Sequence, residues 1–149
     1  MGHILKCGLA IFFLCFFANA SAQKTNNVLA KEVWIAINDY RHQMQLNTLL
    51  WNEKASSIAA LHSKNMANNT VAFSHTGFNQ RSKVLYKIFG NTATAENIIM
   101  GVYTGLQALQ LWKTSAGHNK NLLGKYTYTG IGVAKDKQGN FYITQIFIQ

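Results

Sequence analysis

Few side chains in this sequence can do chemistry, and they are spread far apart. Beyond residue 22 the histidines are His42, His62, His75 and His118, and the acids are Glu32, Asp39, Glu53, Glu96 and Asp136. His62 shares an apolar helical face with Ala59 and Met66 and reads as a core-edge histidine bonded internally. His42 falls on the polar side of a helix. Glu32, Asp39, Glu53 and Asp136 fall on polar helix faces or in turns, where carboxylates are ordinary. His75, Glu96 and His118 differ, because each reads as lying in or beside a break between elements, where side chains can converge on a cleft. An acid and two imidazoles together can hold a water, orient a ring N–H or bind a cation. Ser74 beside His75, and Ser115 three residues before His118, are weak candidates for a nucleophile and base, since adjacency in sequence does not make such a pair. The chain has no His-Glu-x-x-His helix, Gly-x-Ser-x-Gly elbow, P-loop or Gly-x-Gly-x-x-Gly turn.

The elements that must position these residues can be traced in outline. Val33, Ile37, Tyr40 and Met44 recur at helical spacing within 28–46. Asn52 is a plausible N-cap for a second helix through Ala55, Ile58, Ala59, His62 and Met66, ending at Asn68-Asn69. A third helix is expected over 80–89, with Asn79 as N-cap and Gly90 ending it. Thr104 and Gln107 form a capping-box pattern for a helix running through Leu109 and Trp112 to about Gly117. The last part changes period: 131–134 and 141–147, joined by Lys137-Gln138-Gly139-Asn140, read as two antiparallel strands. Helices first and strands last indicate an α+β domain whose helices cover the sheet.

Residues 1–22 have a different character. A short basic start, the apolar run Leu9 to Phe17 and the small residues around Ala20 and Ala22 are the layout of a cleaved signal peptide. The apolar run is well short of the roughly 20 residues that span a bilayer, so no transmembrane anchor is expected after cleavage. The expected division is a signal peptide, 1–22, and a single domain, 23–149. Cys7 and Cys15 both fall in the leader, which excludes cysteine nucleophiles, thiolate metal sites and disulfides from the domain. A secreted protein, extracellular or periplasmic, with no cysteine in its domain points to a bacterial source. Thirteen basic residues against five acidic ones leave the domain at +8. That balance favours an anionic envelope, lipid or host-surface partner. The basic residues are dispersed, and no nucleic-acid partner is expected.

Several stretches, in order, resemble the CAP superfamily of cysteine-rich secretory, antigen 5 and pathogenesis-related 1 proteins, in its cysteine-free bacterial SCP-like branch. They are Asn38-x-x-Arg41, Leu49-x-Trp51 with Ala55, Ala59 and Met66, Phe73-Ser74-His75, Ala95-Glu96-Asn97-Ile98, Trp112-x-x-Ser115-x-Gly117-His118 and Gly130-Ile131-Gly132-Val133. The resemblance implies an α-β-α sandwich, a central antiparallel sheet flanked by helices. It also implies a cleft lined by two histidines and two glutamates, to which His75, His118 and Glu96 correspond. The second glutamate position is Ser115 here, which removes one carboxylate and weakens any four-residue mechanism. In several members of that superfamily the two histidines hold a divalent metal, usually zinc, so the resemblance makes His75 and His118 the expected metal ligands. Asn97, Asn38 and Arg41 are expected to tie loop backbone in place, and Trp112 to be core.

The favoured functional reading is a monomeric, non-enzymatic binding module with a His/Glu cleft able to take zinc or another divalent cation. One alternative is a metal-assisted protease or esterase using His75, His118 and Glu96 as its catalytic group. Another is a lipid- or sterol-binding protein using apolar grooves between helices.

Overall fold

The computed structural model describes residues 8–90 and 92–149, with side chains from residue 25 onward. The start of the expected leader, residues 1–7 with Cys7, lies outside the described residues, and so does the Cys15 side chain. The elements in chain order are α1 (Gly8–Gln43), β1 (Leu50–Trp51), α2 (Glu53–Ala67), α3 (Phe78–Phe89), β2 (Thr94–Met100), α4 (Gly105–Thr114), α5 (Ala116–Leu122), β3 (Tyr128–Lys135) and β4 (Phe141–Ile148).

One four-stranded sheet runs in the order β1-β3-β4-β2. β3 pairs antiparallel with β4, and β4 antiparallel with β2, with Glu96 opposite Ile146 and Asn97 opposite Gln145. The two residues of β1 add a parallel edge beside β3. The sheet is thus antiparallel at its centre with one short parallel strand. Both faces are covered. Phe141, Ile143 and Phe147 of β4 join Val33 and Ile37 of α1 with Leu109 and Trp112 of α4 in one core. The alternate residues Ile146 and Ile148 turn the other way, onto Ala55 and Ala59 of α2 and Leu85 of α3. This is the three-layer α-β-α sandwich of an α+β domain.

Local signals explain most element boundaries. Asn52 caps α2 by accepting from the Ala55 amide, and Thr104 and Gln107 complete a capping box at α4. Gly130 and Gly132 let β3 lie against α2, where a Cβ would run into the backbone at Ser56 and Ala60.

Several expected boundaries change. α3 begins at Phe78 after Gly77, whose φ of 81° suits glycine, and Asn79 lies inside the helix. Met44 lies past the end of α1 and is 48% exposed, so the buried stripe stops at Tyr40. The helix expected to end near Gly117 breaks earlier, at Ser115, whose extended backbone separates α4 from α5.

Candidate functional site

The site straddles β2, the edge strand of the sheet. Glu96 projects to the α2–α3 side and Asn97 to the side of α4 and α5, as alternation along a strand requires. His75 enters from the loop between α2 and α3. His118 enters from α5, on the other side of the strand. Two expected placements are therefore corrected: Glu96 sits within a strand and His118 within a helix. They still converge, because β2 is an edge and both layers of helices reach around it. The His75 and His118 rings lie with centroids 6.5 Å apart, tilted by 51°.

Glu96 is the centre of the polar chemistry. Its side chain is 1% exposed, and burying a carboxylate requires partners for its charge and lone pairs. Arg81 of α3 supplies most of them, donating from Nε to Oε2 and from Nη2 to Oε1, both at 2.8 Å. Oε1 also lies 2.9 Å from His75 Nδ1. A carboxylate only accepts, so His75 donates from Nδ1, which in the neutral ring leaves the lone pair on Nε2.

The His75 loop is held from several directions. His62, buried on α2, places Nε2 3.0 Å from the Ser74 carbonyl. Arg81 Nη1 donates to the Thr76 carbonyl, and the Phe78 amide to the His75 carbonyl. His75 itself remains about half exposed at its side chain.

α5 is positioned equally closely. Asn97 Nδ2 donates to the His118 carbonyl, and Asn121 Nδ2 donates to Asn97 Oδ1 and to the Glu96 carbonyl. Arg41, fully buried on α1, donates to the carbonyls of Leu122 and Gly124 at the far end of α5 and to Asn47. Asn38 pairs in both directions with the Leu49 backbone, tying the segment before β1 to α1. Trp112 is fully buried and donates from Nε1 to the Ile98 carbonyl. Asn97, Asn38, Arg41 and Trp112 therefore hold backbone in place, and Asn97 does so at a site histidine, His118. Ser115 occupies the joint between α4 and α5, its amide bonded to the Trp112 carbonyl and its side chain making no capping bond to α5.

Burial lowers the His118 pKa below the usual imidazole value, and a charge on His75 would lower it further. Burial thus favours the neutral form of His118, the form that binds a metal. Two imidazoles on one tetrahedral zinc, with bonds of about 2.0–2.1 Å, have centroids roughly 5 Å apart. The observed 6.5 Å is wider, so a shared ion requires the rings to close somewhat. Glu96 is buried and its charge is engaged by Arg81 and His75, so it is not placed as a third ligand. Among the described residues, no group of three or more His, Cys, Asp or Glu could hold a metal ion. The candidate ligands are thus His75 and His118 alone, set wider apart than a single tetrahedral ion would hold them.

Arg81 is the functional residue that reading the sequence misses. A signal was present: α3 contains Arg81, Lys83 and Lys87 and no acid, so Arg81 has no carboxylate on its own helix.

A family model described as the cysteine-rich secretory protein family matches residues 34–147. The chain is 30% identical over 131 residues to an uncharacterized membrane protein, YlbC, of Bacillus subtilis (strain 168), a match covering 85% of this chain and 36% of that one. It is also similar to the crystal structure of an extracellular protein containing a SCP domain from Bacillus anthracis str. Ames. That match has a TM-score of 0.74 and 30% identity, and covers 86% of this chain and 42% of the other. An outer surface protein from Borrelia burgdorferi shares the fold at a TM-score of 0.67 and 17% identity, over 100% of this chain and 98% of that one. The chain therefore spans well under half of the two Bacillus proteins. The histidine pair, the Glu96 strand and the three-layer sandwich come together as a CAP domain, and the chain belongs to the cysteine-rich secretory protein (CAP) family.

Proposed function

We propose that the chain is an exported, non-enzymatic binding module whose His75–His118 cleft captures a divalent cation and whose basic surface meets an anionic envelope component. The observation that carries the non-enzymatic reading is the Arg81 fork on Glu96. A metal-assisted hydrolase needs a carboxylate free to take a proton from water. Glu96 is buried, and both its oxygens accept from Arg81 while Oε1 also faces His75. With its side chain 1% exposed and both oxygens engaged, Glu96 is withdrawn from the open cleft, and its role is to orient the His75 ring.

Ser115 supplies no second carboxylate, which weighs on the same side. A bound divalent ion would supply positive charge to which a polar or anionic ligand can coordinate. The chain's part is to keep His118 neutral by burial, fix the His75 proton on Nδ1 and hold α5 against β2. Two protein ligands make such capture weak and reversible. Export rests on the leader-like segment at 1–22 and is supported by the Bacillus anthracis relative, which is described as extracellular. Among the described residues no helix is long and apolar enough to cross a membrane.

Equilibrium dialysis against zinc tests the reading. The full chain is expected to bind one zinc per molecule, with binding lost on His75→Ala and equally on His118→Ala. Retention of zinc by both variants, or metal-dependent ester or peptide hydrolysis abolished by Glu96→Gln, would overturn it.

A further inference from the structure

Helix α3 has an outer surface that the cleft does not use. Of its twelve residues only Leu85 is buried. Lys83, Val84, Tyr86, Lys87 and Ile88 are all exposed, with Val84 at 46%, Tyr86 at 53% and Ile88 at 45%. Helical spacing sorts them into adjacent rows. Lys83 and Lys87 stand four apart on one row, and Val84 and Ile88 on the next. No acid interrupts either row, and Arg81 is turned away to Glu96.

We propose that this face of α3 docks the domain on an anionic phospholipid bilayer, lysines among the headgroups and Val84 and Ile88 at the acyl boundary. Charge favours this face over the apolar groove between α1 and α4. That groove, of about 470 Å³, exposes Ile35 and Leu106, but Glu32 and Asp39 outnumber the single Lys113 along it, a balance that opposes an anionic surface. α3 offers apolar and cationic groups without acids, the combination that binds anionic interfaces. A soluble polyanion would use the lysines and leave Val84 and Ile88 without a role. The proposal rests on the binding-module reading and deepens it by naming the envelope component.

Vesicle sedimentation of the full chain tests this, using phosphatidylcholine alone and phosphatidylcholine with 30% phosphatidylglycerol as ~0.1 µm vesicles. Residues 1–22 are present in every variant, so their contribution is common to all. Preference for the anionic vesicles is expected. Lys83→Glu/Lys87→Glu should weaken binding at least about 25-fold, from roughly fivefold per lysine near a charged membrane. Val84→Ser/Ile88→Ser should weaken it about fivefold or more. Lys125→Glu/Lys137→Glu, the same charge change on exposed positions elsewhere, should cost less than about threefold. Equal binding to both vesicles, or equal losses from the two charge reversals, would overturn the proposal. So would full binding by Val84→Ser/Ile88→Ser with inorganic polyphosphate displacing the protein, which would make the face a polyanion site. His75→Ala/His118→Ala is expected to bind vesicles like the wild type. Failure of the zinc site would therefore leave this result standing, whereas loss of vesicle binding in that variant would place the contact in the cleft and refute docking through α3.

Discussion

Arg81 grips Glu96 through two hydrogen bonds of 2.8 Å, so the one carboxylate of the cleft is neutralised from the helix layer and serves the histidine beside it. This pair sets the protonation pattern of His75, joins α3 to the edge strand, and separates this site from one built around a free base.

Replacing Arg81 leaves Glu96 buried with an unpaired charge. Arg81→Ala is expected to destabilise the fold by about 3 kcal/mol or more. Arg81→Lys keeps the charge but loses the fork, and should fall between. Urea denaturation of the three proteins checks the order, and an Arg81→Ala midpoint equal to wild type would remove the pair from the account.

Acid should weaken the domain in a definite window. Burial lowers the pKa of both His62 and His118 below the ordinary 6.5. Between the folded and unfolded values the unfolded chain binds more protons, so stability rises with pH there. It is expected to be level above about pH 7 and to fall as pH drops through 6.5 and below. His62→Gln, which can still donate to the Ser74 carbonyl, should flatten part of that slope in denaturation curves taken from pH 7.5 to 5.

Asn97 tests whether α5 must be held for the cleft to work. Asn97→Ala removes the bond to the His118 carbonyl and the partner of Asn121. Loss of such supporting contacts commonly costs 10- to 100-fold in metal affinity, and about tenfold is expected in zinc dialysis. An unchanged affinity would mean that α5 is positioned by packing alone.

Ser115→Glu restores a carboxylate where the family pattern has one. A third ligand should raise zinc affinity by about tenfold or more. No gain in calorimetric titration would mean that the joint between α4 and α5 directs this side chain away from the ion.

Much of this fold was legible because its signals are local. The Asn52 cap, the Thr104–Gln107 capping box and the final hairpin each depend on residues within a few positions of one another. β2 was not legible as a strand, because both its faces are covered and Thr94–Met100 shows no polar and apolar alternation. α5 was hidden by Ser115-Ala116-Gly117, which looks like a helix end and is in fact a break followed by a restart. His75, Glu96 and His118 stood out in the sequence as scarce polar groups and through a family pattern, and the structure brings their side chains near one another. Arg81 was not, since a basic residue on a polar helix resembles a solvated one until its partner's burial is known.

The most direct test of the central claim, that His75 and His118 share one site with His75 protonated on Nδ1, is ¹⁵N imidazole NMR during a zinc titration. An Nδ1–H tautomer is expected for His75 before metal, then joint shifts of both rings at a single midpoint, with His118→Ala abolishing the His75 response. An Nε2–H tautomer, or two rings responding at separate midpoints, would contradict it.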